Sequence, residues 1–128
     1  MAEHNEIGKI GEEITRTFLV KHGFSIISLN YRTKYGEIDI IAKKDNMLRF
    51  VEVKSIKVRD FMNLKNLSVC PEDNLTGDKW RKLVTSIEIY LTHKKVEVLR
   101  WQVDLACVYI NTETREGRVV LKQNIHKE

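Results

Sequence analysis

Two apolar runs separated by a pair of turn residues constrain this chain more than any other feature. Gly36-Glu-Ile-Asp-Ile-Ile-Ala42 and Leu48–Lys54 are rich in strand-forming residues, and Asp45-Asn46 lies between them. Asp and Asn tolerate the left-handed backbone that a two-residue hairpin turn needs. Such a turn fixes the register, placing Asp39 opposite Glu52 and Glu37 opposite Lys54. Directly opposed side chains have Cβ atoms roughly 4.5–5.5 Å apart. Two carboxylates so placed repel, and a shared proton or a bound cation must offset the repulsion. Residues two apart share a face of the sheet. One face therefore carries Glu37, Asp39, Glu52 and Lys54 beside Ile41 and Phe50. The other carries Ile38, Ile40, Val51 and Val53, a plain core pattern.

The rest of the chain supplies partners for this hairpin. Ile7, Ile10, Ile14 and Phe18 recur at helical spacing from about Asn5 to His22, and Gly23 provides a stop. Phe24 to Tyr31 reads as a strand. Ser55 to Thr76 is polar and irregular, which reads as a long loop. Trp80, Leu83, Val84, Ile87 and Leu91 form the apolar stripe of a second helix over 77–93. Strands follow at about Leu99–Ile110 and Arg118–Ile125, with a turn at Glu116-Gly117. The order αβββαββ predicts an α/β fold: a mixed sheet of about five strands flanked by two helices, the first three strands an antiparallel meander. The 128 residues suit a single domain spanning 1–128.

Composition excludes several classes. At 42% hydrophobic and 31% charged, the chain is not a disordered one. No apolar run approaches the roughly 18 residues of a membrane span. The start, Met-Ala-Glu-His-Asn-Glu, lacks the basic end and apolar stretch of a signal peptide. Cys70 and Cys107 are far apart and read as two reduced thiols, so the expected location is cytoplasmic, with no membrane partner. His4, His22, His93 and His126 show no ligand spacing. The net charge of +4 is compatible with a polyanionic partner without identifying one.

The acidic face suits a divalent metal, since carboxylate oxygens select hard ions such as Mg²⁺ or Mn²⁺. Such an ion can activate water and neutralise charge developing on a phosphate. Lys54 can orient or deprotonate that water. The same residues also fit a solvent-facing strand end, where Glu37, Asp39 and Lys54 merely form ion pairs. Glu12 lies with Gly8, Thr15 and Leu19 at the margin of the first helix's buried arc. It can reach the metal or remain an ordinary surface glutamate. Lys57, Arg59, Lys79, Arg81 and Lys82 cluster around the acids as a rim for phosphates. Trp80 reads as core, and Asp104 as a structural strand residue.

Gly8-x-x-Gly11-Glu12, Asn30-x-Arg32, Gly36-Glu-Ile-Asp-Ile-Ile-Ala42, Phe50-Val-Glu-Val-Lys54 and Lys79-x-x-Lys82-Leu83 occur here in the order found in the YraN family. The chain resembles that family of small bacterial proteins, related to the PD-(D/E)XK nuclease superfamily and similar to Holliday-junction resolvases. The resemblance implies a restriction-endonuclease-like core and Mg²⁺-dependent (or Mn²⁺-dependent) hydrolysis of phosphodiester bonds, with branched or flapped DNA as a candidate substrate. It implies Asp39, Glu52 and Glu12 as metal-binding acids and Lys54 as the motif lysine. Arg32, Lys57, Arg59, Lys79 and Lys82 are the expected nucleic-acid contacts. The resemblance to resolvases also allows a homodimer. Ile38 stands where the superfamily has proline, Thr15 where the family has alanine, and Ile56 where it has arginine. The last change leaves open an alternative, a catalytically inactive nucleic-acid-binding module of the same fold.

Overall fold

The computed structural model describes residues 2–59, 61, 75–95 and 100–126. Its elements are α1 (Ala2–Lys21), β1 (Ser25–Thr33), β2 (Gly36–Lys44), β3 (Met47–Val58), α2 (Gly77–His93), β4 (Trp101–Asn111) and β5 (Gly117–Lys122). The strands form one sheet in the order β1-β2-β3-β4-β5. All neighbours pair antiparallel except β3 and β4, which are parallel. This is the expected αβββαββ order, mixed sheet and leading meander.

The hairpin turn forms as its residues dictate. Asp45 and Asn46 both take positive φ, 53° and 60°, the twist that suits a two-residue connection. The register is the expected one, running from Lys44↔Met47 to Ile40↔Val51. β4 is buried from Val103 to Ile110. It lies between β3 and β5 and is covered on both faces, hence its nearly continuous apolar run.

Neighbouring residues of β3 and β4 separate into two cores, one on each face. Phe50 and Leu105 pack with Leu83, Ile87 and Tyr90 of α2. Val51 and Ala106 pack with Leu19, on the α1 side. Trp80 packs against the α2 core as expected. In α1 the deepest line is Gly11, Thr15 and Leu19, while Ile7, Ile10, Ile14 and Phe18 are only partly buried beside it. Small residues win that line because the helix sits close to the sheet. A Cβ at Gly11 would collide with the Ser55 hydroxyl and lie 3.1 Å from the Ser55 Cβ. The Thr15 hydroxyl is satisfied by the Gly11 carbonyl at 2.8 Å.

Three boundaries differ from expectation. β3 continues through Ser55 to Val58 because β4 offers parallel partners as far as Val58↔Asn111. The expected loop over 55–76 is therefore a strand in its first part, and 60 and 62–74 lie outside the described residues. β4 starts at Trp101, and the expected start at Leu99 also lies outside them. β5 stops at Lys122. Asn124 then takes positive φ, and the Ile125 N–H donates to the Val103 carbonyl at 2.8 Å. Cys107 is disulfide-bonded, which corrects the expectation of two reduced thiols. Cys70 lies outside the described residues.

Asp104 is structural, as expected. It is fully buried beside Arg49, with Arg49 Nη1 3.6 Å from Asp104 Oδ2. The other oxygen, Oδ1, accepts from Gln102 Nε2 at 2.7 Å and from the Asn124 N–H at 2.9 Å. Arg49 also donates to Gln123 Oε1 at 2.8 Å. The pair thus ties the segment after β5 back to the sheet. Removing one member leaves a buried, uncompensated charge, which costs about 3–5 kcal/mol. Arg49→Met is therefore expected to lower the urea-denaturation midpoint strongly. An unchanged midpoint would contradict this account.

Candidate functional site

The site forms where the β2–β3 ladder stops. Beyond Ile40↔Val51, the Val53 N–H does not join a backbone ladder. It donates to Asp39 Oδ2 at 2.8 Å. The Asp39 N–H in turn favours the ionised Glu52 carboxylate by hydrogen bonding. Each acid therefore occupies the space where the partner strand's backbone would otherwise bond.

This interception changes the expected faces. Ile38 packs in the α2-side core and Ile40 in the α1-side core. Strict alternation would put both on one side. Asp39 follows Ile40 to the α1 side, where it lines a cavity of ≈ 300 Å³ with Ile7, Gly8, Glu12, Ser55 and Lys57. Glu52 stays on the α2 side, lining a cavity of ≈ 290 Å³ with Glu37, Lys79, Lys82 and Ser86. Val53 and Lys54 line both cavities. The expectation of one acidic face is corrected to two cavities joined at Val53-Lys54. The expectation that Ile38 and Ile40 share a face is corrected as well.

The acids sense one another across this junction. Burial, opposed by the Val53 N–H, and then repulsion from Glu12 and Glu37 raise the Asp39 pKa from the usual 3.8 to about 7. Burial first, then repulsion from Asp39, hold the Glu52 carboxyl well above its ordinary value. Glu52 Oε1 is buried without a hydrogen-bond partner. A buried carboxylate oxygen with an open lone pair beside a second raised acid is a fit donor set for a hard divalent cation. As the side chains stand, no group of three or more His, Cys, Asp or Glu among the described residues converges to hold an ion.

Asn30 organises the outer acids. Its Nδ2 donates to Glu12 Oε1 at 2.9 Å and to Glu37 Oε1 at 2.7 Å. Asn30 has φ 50°, a conformation that Asn adopts at little cost. Arg32 Nε donates to Glu37 Oε2 at 3.2 Å, yet its side chain is 84% exposed. Sequence reasoning gave Asn30 no role. The signal was its spacing of two from Arg32, which sets both to work on Glu37.

The basic residues divide. Lys79 and Lys82 flank Glu52 from the first turns of α2. The Lys79 N–H is capped by Thr76, and Lys82 pairs with Asp78 at 3.4 Å on the surface. Lys57 lies in the α1-side cavity. Arg59 lines neither cavity. It is exposed just past β3, and its carbonyl accepts from Asn111 Nδ2 at 3.0 Å.

Comparison with known proteins agrees with this reading of the motifs. The family described as "Uncharacterised protein family UPF0102" matches residues 11–108. A UPF0102 protein of Flavobacterium psychrophilum is 38% identical over 109 residues, covering 85% of each chain. One from Campylobacter lari is 42% identical over 100 residues, covering 77% of this chain and 80% of its own. One from Dictyoglomus turgidum is 33% identical over 108 residues, covering 84% and 86%. Glu12, Asn30, Asp39, Glu52, Lys54 and Lys82 all fall inside the matched span, and the chain belongs to the UPF0102 (YraN) family.

Proposed function

We propose that this protein is a metal-dependent endonuclease that hydrolyses phosphodiester bonds, with branched or flapped DNA as the candidate substrate. The observation that carries the reading is the half-buried Asp39/Glu52 pair at the end of the β2–β3 ladder, with Glu52 Oε1 buried and lacking a partner. Asp39 and Glu52, with Glu12 from α1, are the residues that would hold Mg²⁺ or Mn²⁺. The ion, when bound, supplies charge neutralisation at the phosphate and a more acidic water. Lys54, exposed and lining both cavities, would orient that water or accept its proton. Lys79 and Lys82 on one side and Lys57 on the other would hold neighbouring phosphates. Asn30 keeps Glu12 and Glu37 in position.

The side chains do not converge as they stand, which favours a second reading, a binding module without catalysis. The two separate in one assay. Purified protein is incubated with Mn²⁺ or Mg²⁺ and linear, flapped and four-way DNA, and both retention and cleavage are followed. Catalysis predicts cleavage that falls by about 10²–10⁴-fold in Asp39→Asn and Lys54→Ala. Cleavage at the wild-type rate in both variants would remove the assignment. Salt-sensitive binding without any cleavage would select the second reading.

The raised acids also set a pH dependence. Between the ordinary carboxylate range and about 7, the folded state holds a proton on Asp39 that the unfolded chain has released. Stability therefore falls as pH rises from about 4 to about 7. In chelator, Tm is expected to drop across this range, and the slope to flatten in Asp39→Asn. A divalent ion must displace those protons. Mn²⁺ should accordingly raise Tm more at pH 8 than at pH 5. Equal shifts at both pH values would separate metal binding from this pair.

A further inference from the structure

Glycine inside a helix weakens it, so a helical glycine needs a reason. Gly11 has one in its contact with Ser55, and Gly77 stands at the first position of α2, where glycine interrupts no helix interior. Outside the helices, Gly117 has one in Ile14, whose Cδ1 lies 2.5 Å from the position of an added Cβ. Gly23 and Gly36 have another, a positive φ. Gly8 has neither. Its φ is not positive, and a Cβ there would meet nothing within 4 Å. The space it leaves open is the α1-side cavity, where Gly8 stands one helical turn before Glu12 and across from Asp39, Lys54, Ser55 and Lys57.

From this we infer that Gly8 is a clearance residue for the substrate: the sugar–phosphate backbone of one nucleic-acid strand seats in the α1-side cavity against the bare backbone of α1. This rests on the nuclease reading and deepens it by naming which cavity takes the strand. Three features fit such an occupant. The cavity, at ≈ 300 Å³, is comparable in size with a single nucleotide unit. Lys54 and Lys57 supply positive charge on its β3 side for a phosphate. Glu12 and Asp39 line the same cavity, where the reacting phosphate would meet them. A methyl group at position 8 would project into the path of the strand while touching nothing of the protein within 4 Å.

The inference separates stability from binding with opposite signs. Full-length wild type, Gly8→Ala and Gly8→Leu are compared, with Gly11→Ala as the packing control. Tm is measured for each. Affinity is measured at low salt with Ca²⁺ as the probe cation, on labelled single-stranded DNA, four-way DNA and single-stranded RNA. Gly8→Ala is expected to raise Tm by about 4 °C through helix propensity alone and yet weaken binding severalfold. Gly8→Leu should bind at least tenfold more weakly with a Tm no lower than wild type. Gly11→Ala should lower Tm. The DNA and RNA arms show which polynucleotide the cavity takes. If Gly8→Ala lowers Tm, or if Gly8→Leu binds as wild type does, the clearance role is overturned while the nuclease reading stands. If wild type binds no nucleic acid at all, that reading fails and the inference fails with it.

Discussion

One hydrogen bond organises the centre of this protein: the Val53 N–H given to the Asp39 carboxylate instead of to a backbone carbonyl. A buried donor must find some acceptor. With Asp39 in that role, the β2–β3 ladder can end at Ile40↔Val51 without orphaning Val53. The two strands are then free to part while β3 continues against β4 for seven further residues, to Val58. The parting makes both cavities. It also sends Asp39 toward α1 and leaves Glu52 toward α2. Without that bond the acids would sit on a regular sheet, side by side and wet.

The cost of the arrangement is electrostatic. Burial raises both central acids, helped by repulsion from Glu12 and Glu37 on Asp39 and chiefly from Asp39 on Glu52. The Val53 and Asp39 N–H groups offset this in part, and the outer acids are held by Asn30 on Glu12 and Glu37 and by Arg32 on Glu37. Close by on β3 and β4 the fold handles a buried charge differently, with Arg49 3.6 Å from Asp104, the β4 partner of Val51. Asp104 thus faces an opposite charge, whereas Asp39 and Glu52 face other acids. Groups at odds with their surroundings persist where function requires them, and this contrast supports the proposed site at Asp39 and Glu52.

The hairpin register was legible because Asp45-Asn46 leaves almost no freedom in how β2 meets β3. Element order and α2 were legible from periodicity for the same reason, since both depend on local pattern. The face of Asp39 was not. It follows from a side chain outbidding a backbone carbonyl for one N–H, which no residue spacing records. The inner line of α1 was also hidden. Pattern reading favours the largest apolar residues, whereas close approach to β3 selects Gly11 and Thr15. The length of β3 was masked by the polarity of 54–57, because a parallel partner strand can hold such a segment in place without an apolar pattern.

These hidden features are connected. Ser55 fills the space that Gly11 leaves, so the residue after Lys54 sets where α1 rests on the sheet. Glu12 is the residue after Gly11, and its carboxylate is then fixed by Asn30 of β1. β3 therefore does more than carry Glu52 and Lys54. Through one serine it also positions the helix that brings the outer acid, so a shift of β3 by a single residue would move three members of the site at once. Gly11 and Ser55 touch no reacting group in the proposed chemistry, but they couple the helix to the strand. The spacing Gly8-x-x-Gly11-Glu12 can then be understood as one device. The second glycine lets the helix dock, the glutamate follows it into the cavity, and the first glycine keeps the cavity open.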